Sequence, residues 1–338
     1  MSDRTKTDKT AVEPLDQALV DGVLGRRPRA LAKAITLAES TRPDHARRAA
    51  RLLDALLPHT GRSIRVGISG SPGAGKSTFI EALGLALIAQ GRRVAVLAVD
   101  PSSTVSGGSI LGDKTRMERL SVHPDAYIRP SPSRGALGGV GEKTREAMLI
   151  CEAAGFDVVI VETVGVGQSE TTVAGMVDLF TLIQLPNSGD DLQAMKKGVV
   201  ELADVIVVNK ADIDPDAAEL ARRQIAGALA LLHSPTSHAA AVVVTASAAR
   251  GRGILEFWTE VERLHAEWTQ SGALAEKRSR QGVDWMWARI DAGLRSRFRS
   301  NPRVRAELDS LTRSVARGDV APTAAALRLL DRAESTNC

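Results

Sequence analysis

Along this 338-residue chain the spacing of apolar residues changes twice. Residues 1–14 are polar and aperiodic and read as a disordered leader. From 15 to 60 the apolar positions fall at helical spacing, as in Leu15, Leu19 and Val23 and then Ala49, Leu52, Leu53 and Leu56. Breaks near Gly25 and Pro43 divide this preface into two or three helices, and Pro58 and Gly61 end it. Between 61 and 250 short β-branched runs alternate with helical stretches. The expected strands are Ile64–Ser69, Val94–Asp100, Ala126–Arg129, Val158–Glu162, Leu179–Leu185, Val205–Asn209 and Val242–Thr245. The connections after the second and third strands are too long for hairpins, so the strands are expected to run parallel. From 251 to 338 the strand signal stops and three helical stripes follow: Ile254, Phe257, Val261, Leu264, Trp268; then Val283, Met286, Trp287, Ile290, Leu294, Phe298; then Leu308, Leu311, Val315. The pattern predicts an α/β fold with a mostly parallel central sheet, a helical N-terminal preface and a helical C-terminal extension. The helices of 251–338, whose stripe of Trp285 or Trp287 with Met286, Ile290, Leu294 and Phe298 is too apolar for a bare surface, are assigned to homodimerisation. Packing back onto the same chain is the rival reading.

Composition narrows the partners. Hydrophobic residues make up 43% and charged residues 25%, enough for a sizeable core. A net charge of +4 and 3% aromatics do not describe a nucleic-acid surface, and no nucleic-acid partner is expected. Two cysteines, Cys151 and Cys338, cannot build a multi-cysteine metal centre and fit a reducing cytoplasm. No apolar run approaches ~18 residues, and the opening MSDRTKTDKT lacks a secretory core, so a cytoplasmic chain without a membrane anchor is expected.

The chemistry starts at Gly70-Ser71-Pro72-Gly73-Ala74-Gly75-Lys76-Ser77, followed by Thr78: GxxxxGK[ST] between a strand and a helix. Glycines turn backbone N–H groups toward phosphates, Lys76 adds charge on the outer phosphates, and the Ser77 hydroxyl suits Mg²⁺. Asn209-Lys210-Ala211-Asp212 follows the sixth strand at its carboxyl end, where open α/β sheets bind ligands. A carboxylate there accepts the paired N–H donors of guanine and is left unpaired by adenine, so Asp212 selects GTP. Ser247 and Ala248, after the last strand, are candidates for supporting the base. Asp100, Asp113 and Glu162 are acids placed for Mg²⁺, although not all three can be direct ligands. Glu162-Thr163-Val164-Gly165 is like a DxxG switch with Glu for Asp, its Gly165 N–H facing a γ-phosphate. ALGGVGEK and LPNSGDDLQAMKKG read as mobile loops, and Lys196, with Lys197 second, is the candidate to complete the transition-state charge, a solvated helix face being the rival reading of both lysines. Lys76, Glu162 and Lys196 are thus the candidate catalytic residues.

Taken in order, SGSPGAGKST, VDPSST, GGSILGDKTRM, RPSPSRGALGGV, ETVGVGQSE and NKAD resemble the methylmalonic aciduria type A family of P-loop GTPase chaperones. Bacterial members were once labelled arginine/ornithine transport-system kinases. The likeness covers about residues 30–290. It implies a homodimeric GTPase, slow alone, that escorts cobalamin to an adenosylcobalamin-dependent acyl-CoA mutase, gates transfer from a cobalamin adenosyltransferase and helps eject damaged cofactor. It also implies Ser77, Asp100, Asp113 and Glu162 around Mg²⁺, Lys76 on phosphate, Asn209, Lys210 and Asp212 on guanine, and Asn187–Gly198 as a third, mutase-responsive switch. Cobalamin would be held by the partners. The alternatives are a GTP-dependent kinase of a small molecule or protein, and a nucleotide-dependent assembly module without turnover.

Overall fold

Strands buried on both faces need apolar residues at successive positions, and the runs beginning at Val94, Val158 and Val205 have them. The computed structural model describes residues 14–40, 42–99, 117–131, 139–163, 169–186, 197–232 and 241–334. The leader as far as residue 13, Asp100, Asp113, Gly165 and Lys196 lie outside them.

Helices α1 (Pro14–Leu24), α2 (Pro28–Glu39) and α3 (Pro43–Leu56) form the preface. Proline at the first turn of α2 and α3 fixes φ where no N–H partner is needed. There follow β1 (Ile64–Gly70), α4 (Lys76–Ala89), β2 (Val94–Val99), α5 (Glu118–Ser121), β3 (Ala126–Ser131), α6 (Gly139–Ala153) and β4 (Val158–Thr163). Next come α7 (Ser169–Ala174), β5 (Leu179–Gln184), α8 (Lys197–Val200), β6 (Val205–Val208), α9 (Pro215–Leu232) and β7 (Val242–Thr245). The strand order is β3-β2-β4-β1-β5-β6-β7, and every neighbouring pair is parallel. All seven expected strands are present, with ends shifted by a residue or so.

Alternation along each strand divides the core. Ala95, Leu97, Val159, Val161, Phe180 and Leu182 face the preface helices, α6, α7 and α9. Val66, Ile68, Val94, Val96, Ile160 and Ile183 face α4 and α10 (Ile254–Ser271). The first stripe beyond residue 251 is therefore core: Phe257, Trp258 and Val261 of α10 are buried, with Phe257 edge-on to Phe79 at 5.1 Å.

α11 (Ala273–Ser300) begins in this first compact unit, which ends at Arg278. Arg278 donates to both Asp178 carboxylate oxygens at 2.8 and 2.6 Å. Beside them Arg65 of β1 makes a bidentate pair with Glu152 of α6 at 2.7 and 2.9 Å. These buried charges gather at the amino ends of β1 and β5. The second unit, residues 279–338, has its own small core of Val304, Leu311, Ala325 and Leu329, supplied by α12 (Pro302–Ala316) and α13 (Pro322–Glu334).

Candidate functional site

The carboxyl ends of the parallel strands carry the site, as in other open α/β sheets. β1 ends at Gly70, with φ +150°, so close to β5 that a Cβ would sit 2.2 Å from the Ile183 carbonyl oxygen. No side chain fits there. The loop then turns at Ser71–Ala74, the Ala74 N–H donating to Ser71 O at 3.2 Å. It closes at Gly75, whose left-handed φ of +88° caps α4 and leaves the first N–H groups of that helix facing the loop. Pro72, Gly73 and Thr78 are exposed, and Ala74 is buried. Lys76 Nζ folds back on the loop, donating to Gly70 O at 2.8 Å and Ser71 O at 3.2 Å. An anion in the loop would compete directly for that ammonium.

Glu162 sits near the end of β4, in register with Ile68 of β1 and Ala98 of β2, and is almost fully buried. The Ser77 hydroxyl donates to its Oε1 at 3.1 Å. Ser77 and Glu162, 85 residues apart, are thus brought together as two hard oxygen donors, a set that suits Mg²⁺. The other two acids expected at the metal, Asp100 and Asp113, lie outside the described residues, as do Gly165 and Lys196. Next to Glu162, Thr163 Oγ1 donates to Ser69 Oγ at 2.8 Å, joining the ends of β4 and β1. Sequence reading passed over this pair, although Thr163 lies inside ETVG and Ser69 directly precedes Gly70.

At the other side of the loop, Asn209 is buried after β6. Its Nδ2 donates to Ala74 O at 2.8 Å and its Oδ1 accepts the Ala248 N–H at 3.1 Å. Lys210 adopts a left-handed φ of +60°, unusual for a non-glycine residue. Asp212 Oδ1 accepts the Ser247 hydroxyl at 2.6 Å, and Arg250 Nε lies 3.9 Å from Oδ2. The Ser247 hydrogen bond, with Arg250 and Arg252 beyond it, holds the Asp212 carboxyl below its ordinary pKa. The same contacts orient the carboxylate as an acceptor. A cavity of about 790 Å³ opens there, lined by Asp212, Ala246, Ser247 and Arg250 among others. Ser247 and Ala248 therefore brace Asp212 and Asn209, and Arg250 and Arg252 are site neighbours that their sequence positions did not reveal.

Among the described residues no three His, Cys, Asp or Glu side chains cluster as a metal centre. No described helix is long and apolar enough to cross a membrane.

Residues 31–303 match the family described as "Methylmalonyl Co-A mutase-associated GTPase MeaB". A Caulobacter vibrioides protein named "Putative GTPase" is 54% identical over 319 residues, covering 94% of this chain and 97% of that one. The Mus musculus "Methylmalonic aciduria type A homolog, mitochondrial" is 44% identical over 323 residues, covering 92% of this chain and 78% of that one. A solved structure described as an LAO/AO transport system kinase matches with a TM-score of 0.74 at 36% identity, over 96% of this chain and 99% of that one. The ordered motifs, the parallel sheet and these likenesses agree, and the chain belongs to the methylmalonyl-CoA mutase-associated GTPase MeaB family.

Proposed function

We propose that this chain is a Mg²⁺-dependent GTPase that acts as a chaperone, gating cobalamin delivery to an adenosylcobalamin-dependent acyl-CoA mutase and protecting or reactivating that enzyme. One observation carries the reading. A phosphate loop, the Ser77–Glu162 pair and the Asn209–Asp212 segment converge on one end of the sheet, in a chain whose family is named for its association with methylmalonyl-CoA mutase.

In this reading Asp212 accepts the guanine N–H pair and Lys210 lies along the base. Loop residues 70–78 surround the phosphates with N–H donors, and Lys76 exchanges its two carbonyl partners for phosphate oxygens. Ser77 and Glu162, with Asp100 and Asp113, surround Mg²⁺ without all three acids touching it directly, and the metal would offset phosphate charge when bound. Gly165 senses the terminal phosphate. Lys196, on the segment Asn187–Gly198, supplies positive charge to the transition state when the mutase is engaged. Cobalamin stays with the partners, the mutase and a cobalamin adenosyltransferase.

The test is phosphate release by the full-length chain with GTP or ATP, with and without an acyl-CoA mutase. Slow release from GTP, accelerated by the mutase and no longer accelerated in Lys196→Ala, is the expected result. Preference for ATP, phosphate appearing on an acceptor other than water, or turnover indifferent to every mutase tried would overturn the reading. The second outcome would favour a kinase, and nucleotide-dependent assembly without turnover would favour a structural module.

A further inference from the structure

Helix α1 ends in a hydrogen-bond pattern that normally calls for glycine. The Arg27 N–H donates to Gly22 O and the Arg26 N–H to Val23 O, both at 2.9 Å. This paired closure puts the residue after the cap in the left-handed region. Here that residue is Arg26, with φ +58°. A glycine would sit there without strain, so an arginine held there calls for a second reason.

Arg26 borders a cavity of about 340 Å³ at the amino ends of β1 and β4, the end of the sheet away from the phosphate loop. That volume is within the range of small-molecule sites. Its guanidinium lies against Gly155, where a Cβ would come within 3.2 Å of Nε and Nη2. Arg62 and His59 line the same cavity. Neither the Arg26 nor the Arg62 guanidinium has a hydrogen bond or ion pair among the described residues. Arg93 packs close by, its guanidinium 4.4 Å from the Phe156 ring centroid and donating to Ala154 O and Gly155 O. Burial, and after it the Arg26 charge, lower the Arg93 pKa. The two acids of the wall are already engaged: Glu152 accepts two hydrogen bonds from Arg65, and Asp157 accepts the Arg93 N–H at 2.7 Å.

Two unpaired guanidiniums facing one concave wall recognise a tetrahedral dianion better than a carboxylate, which fills only one fork. Leu24 and Ala153 supply apolar wall beyond the charged end. We infer that this cavity is a second anion site, independent of the nucleotide, that takes a phosphate group carried on a small organic body.

The GDP-loaded full-length chain, with its phosphate loop filled, is titrated calorimetrically with phenyl phosphate, inorganic phosphate and benzoate. One phenyl phosphate is expected per chain, weakened at least tenfold by Arg26→Gly and by Arg62→Ala, while Arg47→Ala on α3 changes nothing. Arg26→Gly relieves the left-handed strain, so its melting temperature should hold or rise and its basal GTP turnover should be unchanged. Loss of binding then cannot come from unfolding. Should Arg26→Gly not fold, Arg26→Asn, which tolerates the same φ, carries the comparison. Inorganic phosphate binding as tightly as phenyl phosphate would identify free phosphate as the ligand of this site. No binding to the GDP-loaded protein, equal binding of benzoate, or binding unaltered by both arginine variants would overturn the inference.

Discussion

Asn209 bridges Ala74 of the phosphate loop and Ala248 of the loop after β7, donating to the first at 2.8 Å and accepting from the second at 3.1 Å. One buried amide thus fixes the phosphate side of the site relative to the side that carries Asp212 and Ser247. Replacing it strands a buried carbonyl and a buried N–H, at about 1–3 kcal/mol. Asn209→Ala is expected to lower GDP affinity by about tenfold or more and to lower the melting temperature. Unchanged values of both, by calorimetry and thermal unfolding, would mean that the bridge holds nothing.

Asp212 is held in place by the Ser247 hydroxyl and by nearby arginines. Asp212→Asn turns one acceptor into a donor that matches xanthine rather than guanine. GTP affinity should fall about tenfold to hundredfold, with XTP gaining correspondingly. Ser247→Ala leaves the carboxylate in place but loosens it, so GTP binding should weaken less and GTP should stay preferred over XTP. Competitive titration of both variants decides it, and an Asp212→Asn protein that still prefers GTP would remove Asp212 from the base site.

Why some of this was legible in the sequence and some was not follows from the range of the interactions. The strands read out because β-branched runs such as Val205–Val208 are buried on both faces, and the phosphate loop because its residues are contiguous, although the atoms that exclude a side chain at Gly70 and Gly75 belong to Ile183 and Asn209. Long connections signalled parallel order without any tertiary information. By contrast, Arg65 and Glu152 are 87 residues apart and individually look like surface charges. Only the fold buries them together. The stripe of Phe257 and Val261 was visible as a helix face, but nothing local told whether it would cover this sheet or another chain. Thr163 and Ser69 meet because β4 lies beside β1 in strand order, which the alternation of elements does not fix.

The Arg65–Glu152 pair is buried, with both residues about 5% exposed or less, and the second Glu152 oxygen also accepts the Gly61 N–H at 2.9 Å. Removing one charge leaves the other without its partner, a loss of about 3–5 kcal/mol. Glu152→Gln should therefore unfold at markedly lower denaturant than the native chain. An Arg65→Met, Glu152→Leu double variant should recover much of that loss, because it removes both desolvated charges. If the double variant were as unstable as the sum of Arg65→Met and Glu152→Leu measured singly, the pair would not be coupled as its geometry implies.

His265 of α10 is half-buried, its Nε2 4.0 Å from Asp178 Oδ2, with Arg278 close by. Burial lowers its pKa, the Asp178 charge opposes that shift and Arg278 reinforces it. With the folded pKa below the unfolded value, the unfolded chain binds the extra proton first. Stability from this group is present above about pH 6.5 and is lost as pH falls through the folded pKa. The native chain should lose stability as pH falls below about 6.5, and His265→Gln should flatten that part of the profile. Denaturant unfolding at several pH values measures it, and an identical slope in the variant would exclude His265 as the cause.

Along α11, Val283, Met286, Trp287, Ile290 and Leu294 fall on one stripe and are 40–58% exposed. Five large apolar residues at helical spacing favour a covered face, and a second copy of the chain is the occupant we propose for it. Cutting the chain near Gly272 would be a poor test, because it also removes Arg278 and leaves the Asp178 carboxylate buried without that cation. Substitution on the stripe avoids this. Each buried Trp or Leu contributes about 1.5–3 kcal/mol, so Trp287→Glu with Leu294→Glu should weaken a dimer by more than a hundredfold. Light scattering at micromolar concentration should then report a dimer for the native chain and a monomer for the double variant, with thermal unfolding of the nucleotide-binding unit unchanged. A native chain that is monomeric, or a double variant that remains dimeric, would assign the stripe elsewhere.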